Sequence, residues 1–341
     1  ILNTLVKDKK KPDGVTIGFE DDSYDESNSI KYIKGDFNRN IYKISEKDLI
    51  KEFENISKLI TEPNGDSSFL PTYILFDKIK KYSNVSLGGD GGDESFFGYI
   101  TFDAYILAKF IKFFIPKFFF SIISNLFLSK DYSKNYILYK KKLSRFFGSL
   151  HLEKKYLLPA WLSCLNIDEH SENLKRKTNV DELFSTKNIF NNNIKNLRSA
   201  QLYHFKYYLP MVLSKVDQAS MLNSVESRSP FISKKIINFS LDQDINKLYS
   251  LFNKKKFLKK VYKSSISKKI LNAPKHGFAF PTHIILKNEK LVNKLIKLEF
   301  VNNYTFFQKK YKSFLNDNKD NTQYLWNELI LNLSIQNLYS N

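Results

Sequence analysis

The sequence predicts an α/β protein with a doubly wound parallel sheet and a helical C-terminal part. Three observations carry that expectation. Short apolar strands alternate with helices over the first hundred residues, a pattern that places parallel strands in a sheet covered by helices. A glycine-rich acidic loop, LGGDGGDE at residues 87 to 94, follows directly on one strand, at the end where such sheets form their ligand crevice. Beyond residue 100 the pattern turns helical with polar loops, including an Asn-rich one at 188 to 196. We therefore divide the chain into a nucleotide-binding α/β part, 1–100, and a mainly helical remainder of the same domain, 101–341.

Residues 14 to 19 (GVTIGF) follow the turn-prone KKPDG and read as the first strand; 40 to 44 (NIYKI) read as the second. Ser45 is placed to cap a helix, with Asp48 at the capping-box position, and Leu49, Ile50, Phe53, Ile56, Leu59 and Ile60 recur at helical spacing before Pro63. A second helix is expected from Ser67 or Ser68 to about Tyr82, with Pro71 in its first turn. It delivers the chain to a short buried strand at 84 to 87. Residues 102 to 128, FDAYILAKFIKFFIPKFFFSIISNLFL, approach the length of a membrane span. Three lysines and a central proline oppose insertion, because each central lysine costs about 2.5–3.5 kcal/mol on insertion scales. Two amphipathic helices broken at Pro116 are expected instead. They could cover the sheet, which we prefer, contact a missing domain, or lie on a membrane surface.

The 341 residues suffice for a sizeable core in two closely packed parts. The single cysteine excludes an internal disulfide and fits a reducing, cytoplasmic setting; no signal-peptide pattern is visible. Cys164 sits among apolar neighbours and reads as a small hydrophobe rather than a nucleophile. The net charge of +19 raises nucleic-acid binding. Arginine, which reads and stacks on bases, occurs only at 39, 145, 176, 198 and 228, and lysine is spread along the chain, so no nucleic-acid partner is expected. His151, His170, His204 and His283 lack metal-ligand spacing.

The chemistry concentrates in the glycine loop. Gly88, Gly89, Gly91 and Gly92 allow positive φ and the approach of bare N–H groups to phosphate oxygens. Asp90, Asp93 and Glu94 are hard oxygen donors of the kind Mg²⁺ accepts when it shares its shell with phosphates. A plain strand-to-helix turn would use the same residue types.

Five segments taken in order give a resemblance. Residues 84 to 99, NVSLGGDGGDESFFGY, are similar to the LSGDGGDELFGGY segment of glutamine-hydrolysing asparagine synthetases, in their C-terminal ATP-pyrophosphatase domain. Residues 18 to 27 (GFEDDSYDES), 62 to 72 (EPNGDSSFLPT), 215 to 231 (KVDQASMLNSVESRSPF) and 273 to 281 (APKHGFAFP) resemble that family's GFEDPSYDES, EPFADSSAIPT, KVDRASMANSLEVRVPF and RPKMGFGVP. The resemblance runs from about 14 to about 290 and implies an adenine nucleotide alpha hydrolase-like fold. It also implies adenylation of the aspartate side chain by ATP with Mg²⁺, then attack by ammonia, supplied from glutamine by a glutaminase domain. On the matching positions, Lys275 would meet the reacting phosphate and Asp90 would line the acyl-adenylate region, both catalytic. Asp93 would bind Mg²⁺; Ile17, Gly88, Gly89, Gly91 and Gly92 would hold the nucleotide. Glu226 and Arg228 would serve the substrate, although for Arg228 a structural ion pair with a carboxylate is the preferred alternative.

The resemblance departs in places. The family has Ser at position 88 and usually an apolar residue where His276 stands, and Leu-Asp where Ile232-Ser233 stand. Its phosphate-gripping SGGLDSS loop and N-terminal cysteine glutaminase have no counterpart here, so the chain is expected to be an inactive fragment whose first six residues continue the helix after that loop. The partners implied are aspartate, ammonia and, in a homodimer, a second copy. Alternatives are amidation of another carboxylate, such as a sugar acid of a surface polysaccharide, a degenerate scaffold domain, or a membrane-associated adapter.

Overall fold

The computed structural model describes residues 11–21, 24–25, 27–33, 35–127, 135–178, 183, 196–273, 280–316 and 320–339. The first ten residues, most of the Asn-rich loop, and Lys275 within 274–279 lie outside them.

Strand β1 (Asp13–Phe19) pairs in parallel with β2 (Asn38–Ile44), Ile17 opposite Tyr42. Between them Asp25 accepts the Ser27 N–H at 2.9 Å and starts a short 3-10 helix. Helix α1 (Glu46–Ser57) begins at the expected capping box: the Ser45 side chain accepts the Asp48 N–H, and the Asp48 carboxylate accepts the Ser45 N–H. Its buried stripe is Leu49, Phe53 and Ile56. Helix α2 (Phe69–Ile79) leads to β3 (Val85–Leu87), which pairs in parallel with β4 (Glu226–Arg228).

The result is a mixed α/β fold, mostly helical. Among the described residues the strands form two two-stranded parallel sheets, β1–β2 and β3–β4, and no described strand joins them into one sheet. The strand expected at 84 to 87 exists, but not its burial: Val85 and Leu87 remain 42% and 45% exposed, since a two-stranded ribbon leaves strand faces and edges uncovered.

Two apolar clusters form the core. The first gathers β1, β2, α1 and α2 with Ala219, Val225 and the C-terminal segment 280–333, around the fully buried Trp326, whose ring lies 5.2 Å from Phe53 and 5.4 Å from Phe280. The second is aromatic, with Phe96, Phe97, Phe102, Tyr105, Phe120, Trp161 and Tyr249. After β3, the glycine loop runs into α3 (Gly92–Ser95), and Phe96 and Phe97 enter this second cluster. Helices α4 (Ile100–Phe114) and α5 (Lys117–Leu126) are divided at Pro116, as the sequence predicts; proline cannot continue the first helix but starts the second well. They are followed by α6 (Asn135–Ser149), α7 (Lys154–Leu162), α8 (Ile167–Leu174) and α9 (Asn196–Tyr203). A π-helical turn, His204–Tyr208, joins α9 to α10 (Leu209–Met221). The chain ends in α11 (Tyr304–Leu315) and α12 (Thr322–Tyr339).

Candidate active site

Parallel pairing of β3 with β4 brings together segments far apart in sequence. Leu87 lies opposite Arg228, the Gly88 N–H donates to the Arg228 carbonyl at 2.9 Å, and the Ser229 hydroxyl donates to Asp90 Oδ2 at 3.2 Å. The glycine loop and the Glu226–Arg228 strand therefore end at one edge. Both Glu226 and Arg228 are exposed and form a two-point ion pair, Arg228 Nε to Glu226 Oε1 at 2.8 Å and Nη2 to Oε2 at 3.2 Å. That contact lowers the Glu226 pKa and raises that of Arg228, keeping a guanidinium and a carboxylate charged at the strand end. Strand β4 is absent from the sequence reading, because three residues, Glu-Ser-Arg, carry no apolar alternation to announce a strand.

The four loop glycines differ in what requires them. A side chain at Gly89 would meet nothing within 4 Å, so its backbone faces open space at the strand end. Gly91 has φ +83°, and a Cβ there would lie 2.4 Å from Ile232 Cγ2. Packing against the Phe231–Ile232 segment, more than nucleotide approach, excludes any larger residue. Around Gly92 the nearest neighbour is the Phe231 ring at 3.4 Å. At Gly88 a Cβ would sit 2.9 Å from Asp90 Oδ2, since the Asp90 carboxylate folds back into the space a serine would use. The Gly88 N–H is taken by Arg228 and the Gly92 N–H by the Gly89 carbonyl at 3.2 Å, which leaves an anion to be met by the turn Gly89–Asp90–Gly91.

Asp93 stands in the first turn of α3 with its carboxylate against Lys255, Nζ to Oδ1 at 2.8 Å. Gly98 makes room for this pair: a Cβ there would fall 1.6 Å from Asp93 Oδ1 and 2.5 Å from Lys255 Cε. Sequence reasoning missed Lys255, which lies in a lysine run without distinguishing spacing. Among the described residues no group of three or more His, Cys, Asp or Glu could hold a metal ion. The donors described here do not by themselves fit magnesium, because an ammonium already neutralises Asp93.

Behind the loop is a buried polar layer the sequence did not reveal. The Tyr99 hydroxyl donates to Glu94 Oε1 at 2.7 Å, and its ring stacks on His204 at 5.0 Å between centroids. His204 bonds the Ala200 carbonyl through Nδ1 at 2.9 Å and Thr101 Oγ1 through Nε2 at 3.2 Å; a proton on Nδ1 leaves Nε2 to accept from the hydroxyl. Burial, followed by the negative charges of Asp66, Glu94 and Asp93, holds the Tyr208 phenol well above its ordinary pKa. Burial and Glu94 do the same for Tyr99. Both phenols stay protonated beside carboxylates. Tyr208 and His204 reach this layer from the π-helical turn, a local feature often found at functional sites.

Two more of the quoted segments meet in a buried ion pair. Lys215 Nζ lies 3.2 Å from Asp66 Oδ2 and donates to Ser68 Oγ at 2.9 Å, while Asp66 Oδ1 accepts the Ser68 N–H at 2.9 Å. This fixes α10 to the start of α2. Ile17 is placed elsewhere, buried in the first cluster on the other sheet. Cys164 packs against the same cluster, and burial pushes its thiol pKa up, the opposite of what a nucleophile needs.

The chain is similar to known proteins along most of its length. A family model described as asparagine synthase matches residues 3–338. A protein of Methanocaldococcus jannaschii named for glutamine-hydrolysing asparagine synthetase is 31% identical over 210 residues, covering 61% of this chain and 39% of that protein. A glutamine-hydrolysing asparagine synthetase of Bacillus subtilis is 24% identical over 330 residues, covering 92% of this chain and 50% of that protein. The chain thus spans half the length of these curated relatives or less. No solved structure gives a significant match.

Proposed function

The chain belongs to the asparagine synthase family, and from that premise we propose that it supplies the synthetase half of an ATP-dependent amidotransferase converting aspartate to asparagine. The observation that carries this is the meeting of the glycine loop with Arg228 at the end of the β3–β4 pair. In the reaction the substrate carboxylate oxygen attacks the α-phosphorus of ATP and pyrophosphate leaves. Ammonia then attacks the acyl carbon, loses a proton and displaces AMP. Every participant but ammonia is anionic, so the site must gather positive charge and N–H donors in one place.

The residues at hand suit that demand. The turn Gly89–Asp90–Gly91 offers backbone to the phosphates. Arg228 is a fork-shaped cation suited to a carboxylate or phosphate, and its partner Glu226 holds it extended until an anion competes for it. Lys255 keeps a second ammonium beside the loop. Asp90, bonded by Ser229, stands where the acyl group would be formed. Lys275 remains our choice for the cation on the reacting phosphate, on its position in the family pattern. A metal ion at Asp93 would first have to displace Lys255, so no step is assigned to magnesium. We further propose that the two strand pairs belong to one doubly wound nucleotide-binding sheet, and that ammonia comes from a glutaminase domain like that in the names of the relatives.

Replacement of Arg228 by methionine tests the assignment. The pair is exposed and screened by solvent, so the fold should be nearly unchanged. Pyrophosphate release with aspartate, measured on the polypeptide together with its glutaminase, should fall by about two orders of magnitude, as for loss of one key charge-stabilising contact. Full release by Arg228→Met would remove the guanidinium from the mechanism. Faster release with uronic acids than with aspartate would move the substrate to sugar acids.

A further inference from the structure

Helices α4 and α5 meet at a corner whose sequence was left with three possible uses. The first turns of α4 are anchored: Phe102, Tyr105 and Ala108 enter the second cluster, and buried Asp103 accepts the Tyr249 hydroxyl and the Phe252 N–H. The last turns leave the core. Phe113 and Phe114 are 83% and 76% exposed, and across the Pro116 break Phe118 and Phe119 are 65% and 43% exposed. Phe110, Ile122 and Leu126 extend the same exposed apolar surface, while α5 buries only Phe120. The four corner phenylalanines pack in pairs on one another, with ring centroids 5.1 Å apart for Phe113–Phe114 and 4.1 Å for Phe118–Phe119. The corner is held in place, since Ser124 Oγ donates to the Ser144 carbonyl of α6 at 2.8 Å and Arg145 of α6 donates to the Trp161 carbonyl at 3.2 Å.

The charges around it are mostly positive. No aspartate or glutamate occurs between Asp103 and Asp131, whereas Lys109, Lys112 and Lys117 lie in that stretch. Lys154 joins them from α7: burial, then the repulsion of Lys109 and Lys112, lowers its pKa. Burial and Lys117 act likewise on Lys112, opposed only in part by Glu153, which is itself shared with Lys155 at 3.7 Å. An anionic surface would relieve this crowding. The exposed set, Phe, Ile and Leu, has no hydrogen-bonding group and lacks the Trp, Tyr and Arg that dominate protein-interface hot spots. No helix among the described residues is long and apolar enough to cross a membrane, so the corner could enter only the surface of one.

We propose that the α4–α5 corner docks this protein on an anionic lipid bilayer, with Phe113, Phe114, Phe118 and Phe119 entering the acyl boundary and the surrounding lysines meeting the headgroups. This rests on charge and exposure and is independent of the amidotransferase assignment.

Vesicle flotation of the chain tests it, using phosphatidylcholine vesicles with and without about one-third phosphatidylglycerol. The expected result is binding at least about tenfold stronger to the anionic vesicles, weakening with salt. Joint replacement F113S, F114S, F118S and F119S should reduce that binding about tenfold or more while the urea midpoint holds. A separate F114W variant, which keeps the surface apolar, should shift its emission to the blue when anionic vesicles are added. Equal flotation of parent and quadruple variant, or an unmoved F114W emission, overturns the proposal. So does conversion of a dimer to a monomer by the quadruple change with vesicle binding retained, which would make the corner a protein interface.

Discussion

Gly91 and Gly89 are two residues apart, yet their replacement by alanine should have opposite consequences. At Gly91 the positive φ of 83° costs an L-residue about 1–2 kcal/mol. The new Cβ would also stand 2.4 Å from Ile232 Cγ2 and 3.3 Å from the Phe231 carbonyl carbon. The second neighbour is backbone and cannot rotate away, which adds about 1–3 kcal/mol of overpacking. Gly91→Ala should therefore lose about 2–5 kcal/mol by these two effects. Gly89 has no positive φ, and its Cβ would point into open space. Gly89→Ala should leave stability unchanged or raise it by about 0.4–1 kcal/mol, by restricting the unfolded chain. Urea unfolding followed by circular dichroism reads both, provided the m-value is constant. The double variant Gly91→Ala, Ile232→Ala should recover only the share due to Ile232 Cγ2 and leave the φ cost and the Phe231 backbone contact, so the cycle isolates the side-chain clash. A Gly91→Ala midpoint equal to the parent's would refute the packing account of this glycine. Gly89→Ala should instead weaken ATP binding in equilibrium dialysis, because only there does an added methyl stand between phosphate and backbone.

Two further outcomes follow from buried charge. Lys215→Met should cost about 3–5 kcal/mol by leaving Asp66 ionised and unpaired, and Asp66→Asn added to it should restore most of the loss; a small single-variant loss in the same urea titration would show the pair to be well solvated. Burial raises the pKa of Glu328 on α12, opposed by its hydrogen bond with Tyr324. A carboxyl whose folded pKa is raised binds its proton more tightly when folded, so its cost is present near neutrality and disappears as pH falls toward the unfolded value of about 4.3. Glu328→Gln should accordingly raise the melting temperature at pH 7.5 and give no advantage near pH 4; a lower melting temperature at pH 7.5 would show that Glu328 is stabilising as an anion.

Local signals in the sequence located much of the framework. Ser45 and Asp48 announce a capping box that forms as expected, Pro116 divides α4 from α5, and the strands at 14–19 and 40–44 pair in parallel. The cap, the proline break and the extended segments themselves are set by neighbours within a few residues, where backbone sterics and capping act directly. The burial of β3 was misjudged for the complementary reason: Val-Ser-Leu is apolar enough for a core strand, but burial depends on what covers it. Lys255 and Tyr208 were missed because a lysine among lysines and a tyrosine among tyrosines acquire meaning only from a carboxylate brought alongside.

From its letters alone this chain determined a nucleotide-type glycine loop after a strand, a helix-rich remainder and membership of a family, since glycine conformational freedom, helix periodicity and capping are written in short windows. Tertiary structure alone decided that Arg228 ends beside Gly88, that Lys255 neutralises Asp93, and that the C-terminal segment closes the first core around Trp326. Those contacts join residues more than a hundred positions apart, and they follow from how apolar surfaces are shared across the whole fold, which no local pattern encodes.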